Sequence, residues 1–433
     1  MKRALIITYY WPPSGGSGVQ RWVKFAKYLP SEGWQPVIYT PDNPEAQTTD
    51  TSLLADIPPE AEVIRQPIRE IYGIYRKLTG KKASAKEVNP INHQKKSLKQ
   101  KLMMALRGNL FIPDPRISWL RPSVKFLTEY LKEHPVDVIV STGPPHSMHL
   151  IAQKVAQKTG TPWIADFRDP WTRMFYFKHL QLSRWAERRH AMLEQSVLGS
   201  CDAVVAVSPL VQEEFQAMTS TPVHLITNGF DPDDYDHGTC AGAGAPDRFT
   251  LTHTGLFASD GIPGMLWSVL AEKCSADPEF REKLEIRLVG KTDSAVLESL
   301  RDAGLESHVT DLGYRDHDIA VREQRNASML ILPLRKEPEY RATLPGKLFE
   351  YLAARRPVLG IGQTDGAMAR VLGDTGAGAV YEWNDRDALA GFVDRCWQMY
   401  RSGEPWTGTD NIEQYSRKAT TAKMAALMES LSR

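Results

Sequence analysis

The run Tyr340 to Ile361, YRATLPGKLFEYLAARRPVLGI, holds residue types suited to gripping a phosphate and a ribose. Pro345-Gly346 opens a helix in which Lys347 and Glu350 stand three apart among Leu348, Phe349, Tyr351 and Leu352. A carboxylate in that position can accept both hydroxyls of a ribose, as acidic residues do in nucleotide sites. The backbone amides of Leu344 to Gly346, the proline apart, would face a pyrophosphate at the helix start. The plainer reading of Lys347 and Glu350 is a surface ion pair at helical spacing. Two further signals lie upstream. Gly255 closes a predicted strand in Thr252-His253-Thr254-Gly255-Leu256, and Lys291 follows Gly290 at the end of the next major one. A lysine just past such a glycine can reach a phosphate as a point charge.

The first half carries a different set. Its first strand runs into Pro12-Pro13-Ser14-Gly15-Gly16-Ser17-Gly18, then a helix over 21–29 with Trp22, Phe25, Ala26 and Leu29 on one face. Glycines there allow close backbone approach, and a helix N-terminus offers free N–H groups and partial positive charge. The loop is neither GxGxxG with a downstream acid nor a Walker loop, which disfavours a nicotinamide dehydrogenase. A tight turn accounts for it equally well. Ser141-Thr142-Gly143-Pro144-Pro145-His146 follows a strand, so His146 sits at a strand's C-terminal end, where open α/β sheets bind ligands. Ala165-Asp166-Phe167-Arg168-Asp169 ends the next strand, and its three charges converge on the same edge or brace one loop. Asn228-Gly229 is expected to make a left-handed turn.

These residues must be positioned by alternating strands and helices. Apolar β-rich runs fall at 4–8, 36–40, 136–141, 162–166, 203–207 and 223–227, then at 249–254, 285–289, 309–312, 329–333 and 357–361. Strands separated by helix-length segments imply parallel sheets with crossover helices. The stretch 231–246, DPDDYDHGTCAGAGAP, reads as a linker, which divides the chain into residues 1–240, 241–410 and a final helix over 411–433. A length of 433 residues at about 150 per domain agrees with two to three domains. The balance of 53 basic against 52 acidic residues argues against nucleic-acid binding by the whole surface. Four cysteines with no CxxC pair give neither a metal signature nor a disulfide framework, which favours a cytoplasmic setting. No apolar run approaches the roughly 18 residues of a membrane span. The charged and apolar start, Met1 to Thr8, reads as a first strand and not as a signal peptide. An insertion at 71–110 stands apart. Its part 71–107 has ten basic residues and one acid, with Leu98, Leu102, Met103 and Leu106 at helical spacing. Such a segment is expected to touch an anionic membrane surface, or to be a solvated surface helix.

Together these motifs resemble the GT-B-fold retaining glycosyltransferases of family 4 (group 1). The resemblance rests on the Gly15 to Gly18 loop, Asp202-Ala203-Val204-Val205-Ala206-Val207-Ser208, Asn228-Gly229-Phe230-Asp231, Gly255, Gly290, Asn326-Ala327-Ser328, and Lys347-Leu348-Phe349-Glu350-Tyr351. It implies an α/β fold with two Rossmann-like domains facing across a cleft, and a C-terminal helix crossing back to the first. It implies a nucleotide-sugar donor on the C-terminal domain, a glycan or lipid-linked acceptor on the N-terminal one, retention of configuration, no cofactor and no metal. Glu350 matches the second glutamate of the family's E-x7-E motif, which holds the ribose. On this reading His146, Asp166 and Lys347 act at the reacting atoms. Gly16, Gly255, Lys291, Leu344 and Glu350 bind the donor, and Gly18 and Arg168 bind the acceptor. The setting would be surface polysaccharide assembly at the inner face of the membrane. Two positions depart from the pattern. Ala342 stands where the first glutamate belongs, and residues 256–264, LFASDGIPG, lack the arginine expected after the first strand of the donor domain. Those departures leave open a non-catalytic sugar-nucleotide-binding partner, or a GT-B-like sugar-nucleotide epimerase.

Overall fold

A computed structural model of the protein describes residues 1–45, 49–68, 108–236 and 247–432. Most of the basic insertion at 71–110, including all of 71–107, and residues 237–246 of the expected linker lie outside the described residues. The chain forms two compact units, Met1–Thr227 with Lys418–Arg433, and Asn228–Arg417. The division falls at Thr227, earlier than the boundary at 240 read from the Gly- and Ala-rich stretch.

The first unit is built on a parallel sheet. Its strands are β1 (Lys2–Ile7), β2 (Trp34–Pro41), β3 (Glu62–Gln66), β4 (Val138–Gly143), β5 (Trp163–Phe167), β6 (Ala203–Ala206) and β7 (Val223–Leu225). Their spatial order is β3-β2-β1-β4-β5-β6-β7. Central strands are covered on both faces, which is why Ala4 to Ile7 and Val138 to Val140 are apolar and wholly buried. Helix α1 (Ser17–Tyr28) follows β1. Its Trp22, Phe25 and Ala26 are fully buried, as the periodicity requires. Helices α2 (Leu120–Glu133), α3 (Ser147–Thr159) and α4 (Arg184–Leu198) continue the alternation. The order reverses between β1 and β4, so the loops after these two strands bracket a topological switch point, the usual ligand position in open α/β sheets.

The second unit repeats the plan. Its strands are β8 (Phe249–Thr254), β9 (Leu284–Val289), β10 (Val309–Gly313), β11 (Met329–Pro333), β12 (Val358–Ile361) and β13 (Gly378–Tyr381), in the order β10-β9-β8-β11-β12-β13. The pairs are parallel throughout, and the switch point lies between β8 and β11. Helix α5 (His317–Asn326) precedes β11 and helix α6 (Gly346–Ala354) follows it.

The tail differs from a single helix over 411–433. Asn411 adopts a left-handed conformation, a short 3-10 turn spans Ile412–Tyr415, and Ser416 is extended. Helix α7 (Arg417–Leu431) then places Met424, Ala425, Leu427 and Met428 in the hydrophobic core of the first unit beside Trp34, Ile38 and Trp22. Gly229 is also required for a reason other than the expected left-handed turn. A Cβ on it would lie 2.2 Å from the Tyr415 carbonyl oxygen, where Phe230 bridges to Ser416.

Candidate active site

In the second unit the site grows from the ends of β8 and β11. His253, the penultimate residue of β8, is buried, and its Nδ1 lies 3.0 Å from the Ile331 carbonyl of β11. Nε2 lies 3.3 Å from the Leu256 carbonyl and also faces the Lys347 ammonium, which can only donate, so Nδ1 carries the proton and Nε2 accepts. Lys347, on the first turn of α6, donates to His253 Nε2 at 3.1 Å and to the Leu256 carbonyl at 3.2 Å. Burial, seconded by the Lys347 charge, holds His253 down to about 3, so it stays neutral. Burial also brings Lys347 down to about 8, with the Glu350 charge opposing the shift. Lys347 is thus a cation at neutral pH, held by a neutral ring and a carbonyl. Its hydrogen bonds include no carboxylate, which leaves its charge for an external anion.

Gly255 bends away from this lysine with φ +84, and a Cβ there would lie 3.3 Å from Lys347 Nζ. Gly290, with φ +132, packs against it so closely that a Cβ would meet the Gly255 carbonyl oxygen at 2.3 Å. Lys291 next to it is exposed, and its backbone carbonyl accepts from Phe257 N–H. Its side chain joins none of the contacts made by Lys347. Leu344 is buried just before Pro345, the N-terminal cap of α6, so it fixes the turn that presents the helix amides. Glu350 does not pair with Lys347 in the surface fashion. One of its carboxylate oxygens accepts from Gln324 Nε2 at 2.9 Å, and Gln324 also donates to Thr254 Oγ1 at 3.0 Å. Tyr235 donates to the Glu350 carbonyl and to Gln324 Oε1. The network orients the carboxylate and leaves its second oxygen without a hydrogen bond among the described residues.

Sequence reasoning did not single out Arg335, Asp260, Gln324 or His253. Arg335 follows β11, lies over the Tyr340 ring at 5.5 Å and pairs with Asp260 at 2.9 Å. Asp260 belongs to the loop after β8, so the pair spans the switch point. A cation therefore stands near the loop whose sequence lacks one. The only signal for it was strand order, which local spacing does not carry.

In the first unit the structure corrects the reading of Asp166. This residue is fully buried and its carboxylate is saturated. Arg21 donates from Nε at 3.2 Å and from Nη2 at 2.9 Å, Trp22 from Nε1 at 2.8 Å, and Thr142 from Oγ1 at 2.9 Å. Burial alone would raise its pKa, but the Arg21 charge and these donors bring it below the usual carboxylate range. No lone pair remains for a substrate, so Asp166 is an internal brace and not a group at the reacting atoms. Arg168 is braced too. It donates from Nη1 to the Gly18 carbonyl at 2.8 Å and from Nη2 to the Pro144 carbonyl, and its backbone N–H bonds Gly143. It thereby ties together the loops after β1, β4 and β5, which limits the acceptor contact expected of it. A Cβ on Gly18 would lie 3.0 Å from Arg168 Nη1, so that glycine makes room for the guanidinium. Gly16 caps α1 with φ 97, a conformation that favours glycine.

Two groups near these braces are better placed for a ligand. His146 caps α3 and is buried, its ring stacked on Trp171 at 4.5 Å and 4°. Neither of its ring nitrogens has a hydrogen-bond partner among the described residues. Burial, then the charges of His149, Arg168 and His190, hold it well below the ordinary histidine value, so it offers one donor and one acceptor. Asp169 has no hydrogen bond among the described residues, and burial pushes its carboxyl up against the opposing pull of Arg168.

Residues 93–234 match the family model described as glycosyltransferase family 4, and residues 264–399 match glycosyl transferases group 1. The chain resembles the glycosyltransferases of family 4 and group 1. Solved structures extend the likeness over the full length. Sucrose-phosphate synthase from Thermosynechococcus elongatus superposes with a TM-score of 0.64 at 15% identity, covering 100% of this chain and 99% of that one. Anabaena Alr3699/HepE in complex with UDP-glucose gives 0.59 at 15%, covering 99% and 100%. WaaG, a glycosyltransferase involved in lipopolysaccharide biosynthesis, gives 0.54 at 16%, covering 99% and 98%. At these identities the likeness is one of fold, and that fold is GT-B. None of the curated proteins matches the sequence. Among the described residues no group of three or more His, Cys, Asp or Glu is placed to hold a metal ion. No helix among them is long and apolar enough to cross a membrane.

Proposed function

We propose that this glycosyltransferase moves a sugar from a nucleoside diphosphate sugar to a glycan or lipid-linked acceptor, with retention of configuration, in surface polysaccharide assembly. The observation that carries the donor assignment is Lys347, an ammonium without a carboxylate partner, held between His253 and the Leu256 carbonyl at the start of α6. As the glycosidic bond breaks, negative charge grows on the leaving diphosphate. Lys347 and the amides of the α6 N-terminus meet that charge, a role that fixed cations and helix ends can fill as a bound metal ion does. Glu350, oriented by Gln324, receives the ribose hydroxyls. The leaving phosphate oxygen takes the acceptor proton on the face it departs from. His146, neutral and with both ring nitrogens open, orients a hydroxyl.

The UDP-glucose complex of one structural neighbour supports the donor class, and the lipopolysaccharide role of another supports the acceptor class. The test is a thermal-shift panel of UDP-, GDP- and ADP-sugars, followed by product analysis with the donor that binds. One nucleotide class should stabilise the protein. Stabilisation by none, or by all equally, would remove the donor assignment. The anomeric configuration of the product decides retention. Release of a free sugar epimer without an acceptor would favour the epimerase instead.

A further inference from the structure

The outer face of α4 is unusual for a surface helix. Trp185 is 66% exposed and Met192 62% exposed, and they stand seven residues apart on one stripe. Arg188 lies between them on that stripe, with Arg184 and Arg189 on its margins, all exposed. None of the three arginines is ion-paired among the described residues, and the exposed Glu187 lies off the stripe. Leu110, 68% exposed, belongs to the same surface, because Asn109 donates to the Gln181 carbonyl and accepts from Ser183 N–H at the start of α4. The sequence run with ten basic residues ends at Arg107, one residue before Gly108, which lies against Leu182. The inner face of α4 is anchored. Ala186, His190, Glu194 and Val197 are buried, and His190 Nδ1 accepts from Trp171 Nε1 at 3.0 Å. Trp171 is the ring on which His146 stacks.

We propose that the Trp185–Arg188–Met192 face of α4, with Leu110, docks on an anionic phospholipid surface. A tryptophan and a methionine flanked by unpaired arginines match the two parts of such an interface, an apolar boundary beneath anionic headgroups. A protein partner would need a complementary apolar surface, and an acidic one alone would leave Trp185 and Met192 in water. The proposal deepens the transferase reading. A lipid-linked acceptor lies in that surface, and α4 stands one ring away from the stack that holds His146.

The test uses the full chain, without donor or acceptor, and vesicles of about three parts phosphatidylcholine to one of phosphatidylglycerol. The wild type should sediment with these and not with pure phosphatidylcholine. Trp185→Ala with Arg188→Glu should lower partitioning at least about tenfold, and raised salt should do likewise. Both side chains are exposed, so the fold should be unaffected. The double variant should keep wild-type turnover on a short-chain, water-soluble acceptor and lose it only on a vesicle-borne one. Equal partitioning of variant and wild type, or none by the wild type, overturns the proposal. So does a wild-type dimer that Trp185→Ala dissolves, since a second copy would then own the face. Vesicle binding by a protein that transfers sugar to no acceptor would reject the transferase reading and uphold the docking face.

Discussion

The two units place charged side chains at equivalent switch points and treat them oppositely. In the first, Asp166 and Arg21 neutralise each other in the interior, Arg168 is absorbed by backbone carbonyls, and the group left open is a neutral histidine. In the second, Lys347 is desolvated yet given only a neutral ring and a carbonyl, so its charge remains for something outside the protein. One edge therefore suits a hydroxyl and the other an anion. A charge matters functionally when its own fold leaves it uncompensated. Residue type at a strand end does not reveal that.

Asp166→Asn should strike the fold. It leaves Arg21 charged, 1% exposed and short of its counterion, a loss of about 3–5 kcal/mol. A melting temperature lower by about 10 °C is the expected result. A folded but inactive Asp166→Asn protein would put this carboxylate back at the reacting atoms and erase the contrast. Lys347→Ala should do the reverse, lowering turnover about 10²- to 10³-fold while the melting temperature stays within a few degrees. His253→Gln sharpens the second half of the comparison. It removes the ring that aims the ammonium, so donor affinity should weaken about tenfold with a smaller effect on turnover at saturation.

A pH series sharpens the same comparison. His149 and His253 titrate at about 3 in the folded protein because burial disfavours their charged forms. Unfolded histidines titrate near 6.5. Between those values the unfolded chain binds more protons, so stability should fall as pH drops from about 6.5 toward 3 and be insensitive to these groups above it. Urea midpoints across that window check the slope. Lys347, at about 8, gives the opposite wing. Diphosphate affinity should weaken as pH rises through about 8 and the ammonium deprotonates.

Much of the fold was legible because parallel central strands are continuous apolar runs. The bounds of β8 and β11 coincide with the runs read at 249–254 and 329–333. β3 and β13 escaped notice. They are edge strands of five and four residues, half-exposed, and Glu62-Val63-Ile64-Arg65-Gln66 has no run to see. The Lys347 and Glu350 motif was visible, since its parts are local. The fate of Asp166 was not. Its counterion, Arg21, lies 145 residues away, so no local spacing could show the pair. The tie between Gln324 and Glu350, and that between Arg335 and Asp260, depend likewise on the order of strands across the sheet.

The most direct test is calorimetric titration of the wild type and Lys347→Ala with the nucleoside diphosphate that stabilises the protein. Saturable binding by the wild type, weakened at least about tenfold in the folded variant, is what an uncompensated ammonium at the head of α6 requires. Equal affinity in the two proteins would contradict it, and would mean that the phosphates rest elsewhere.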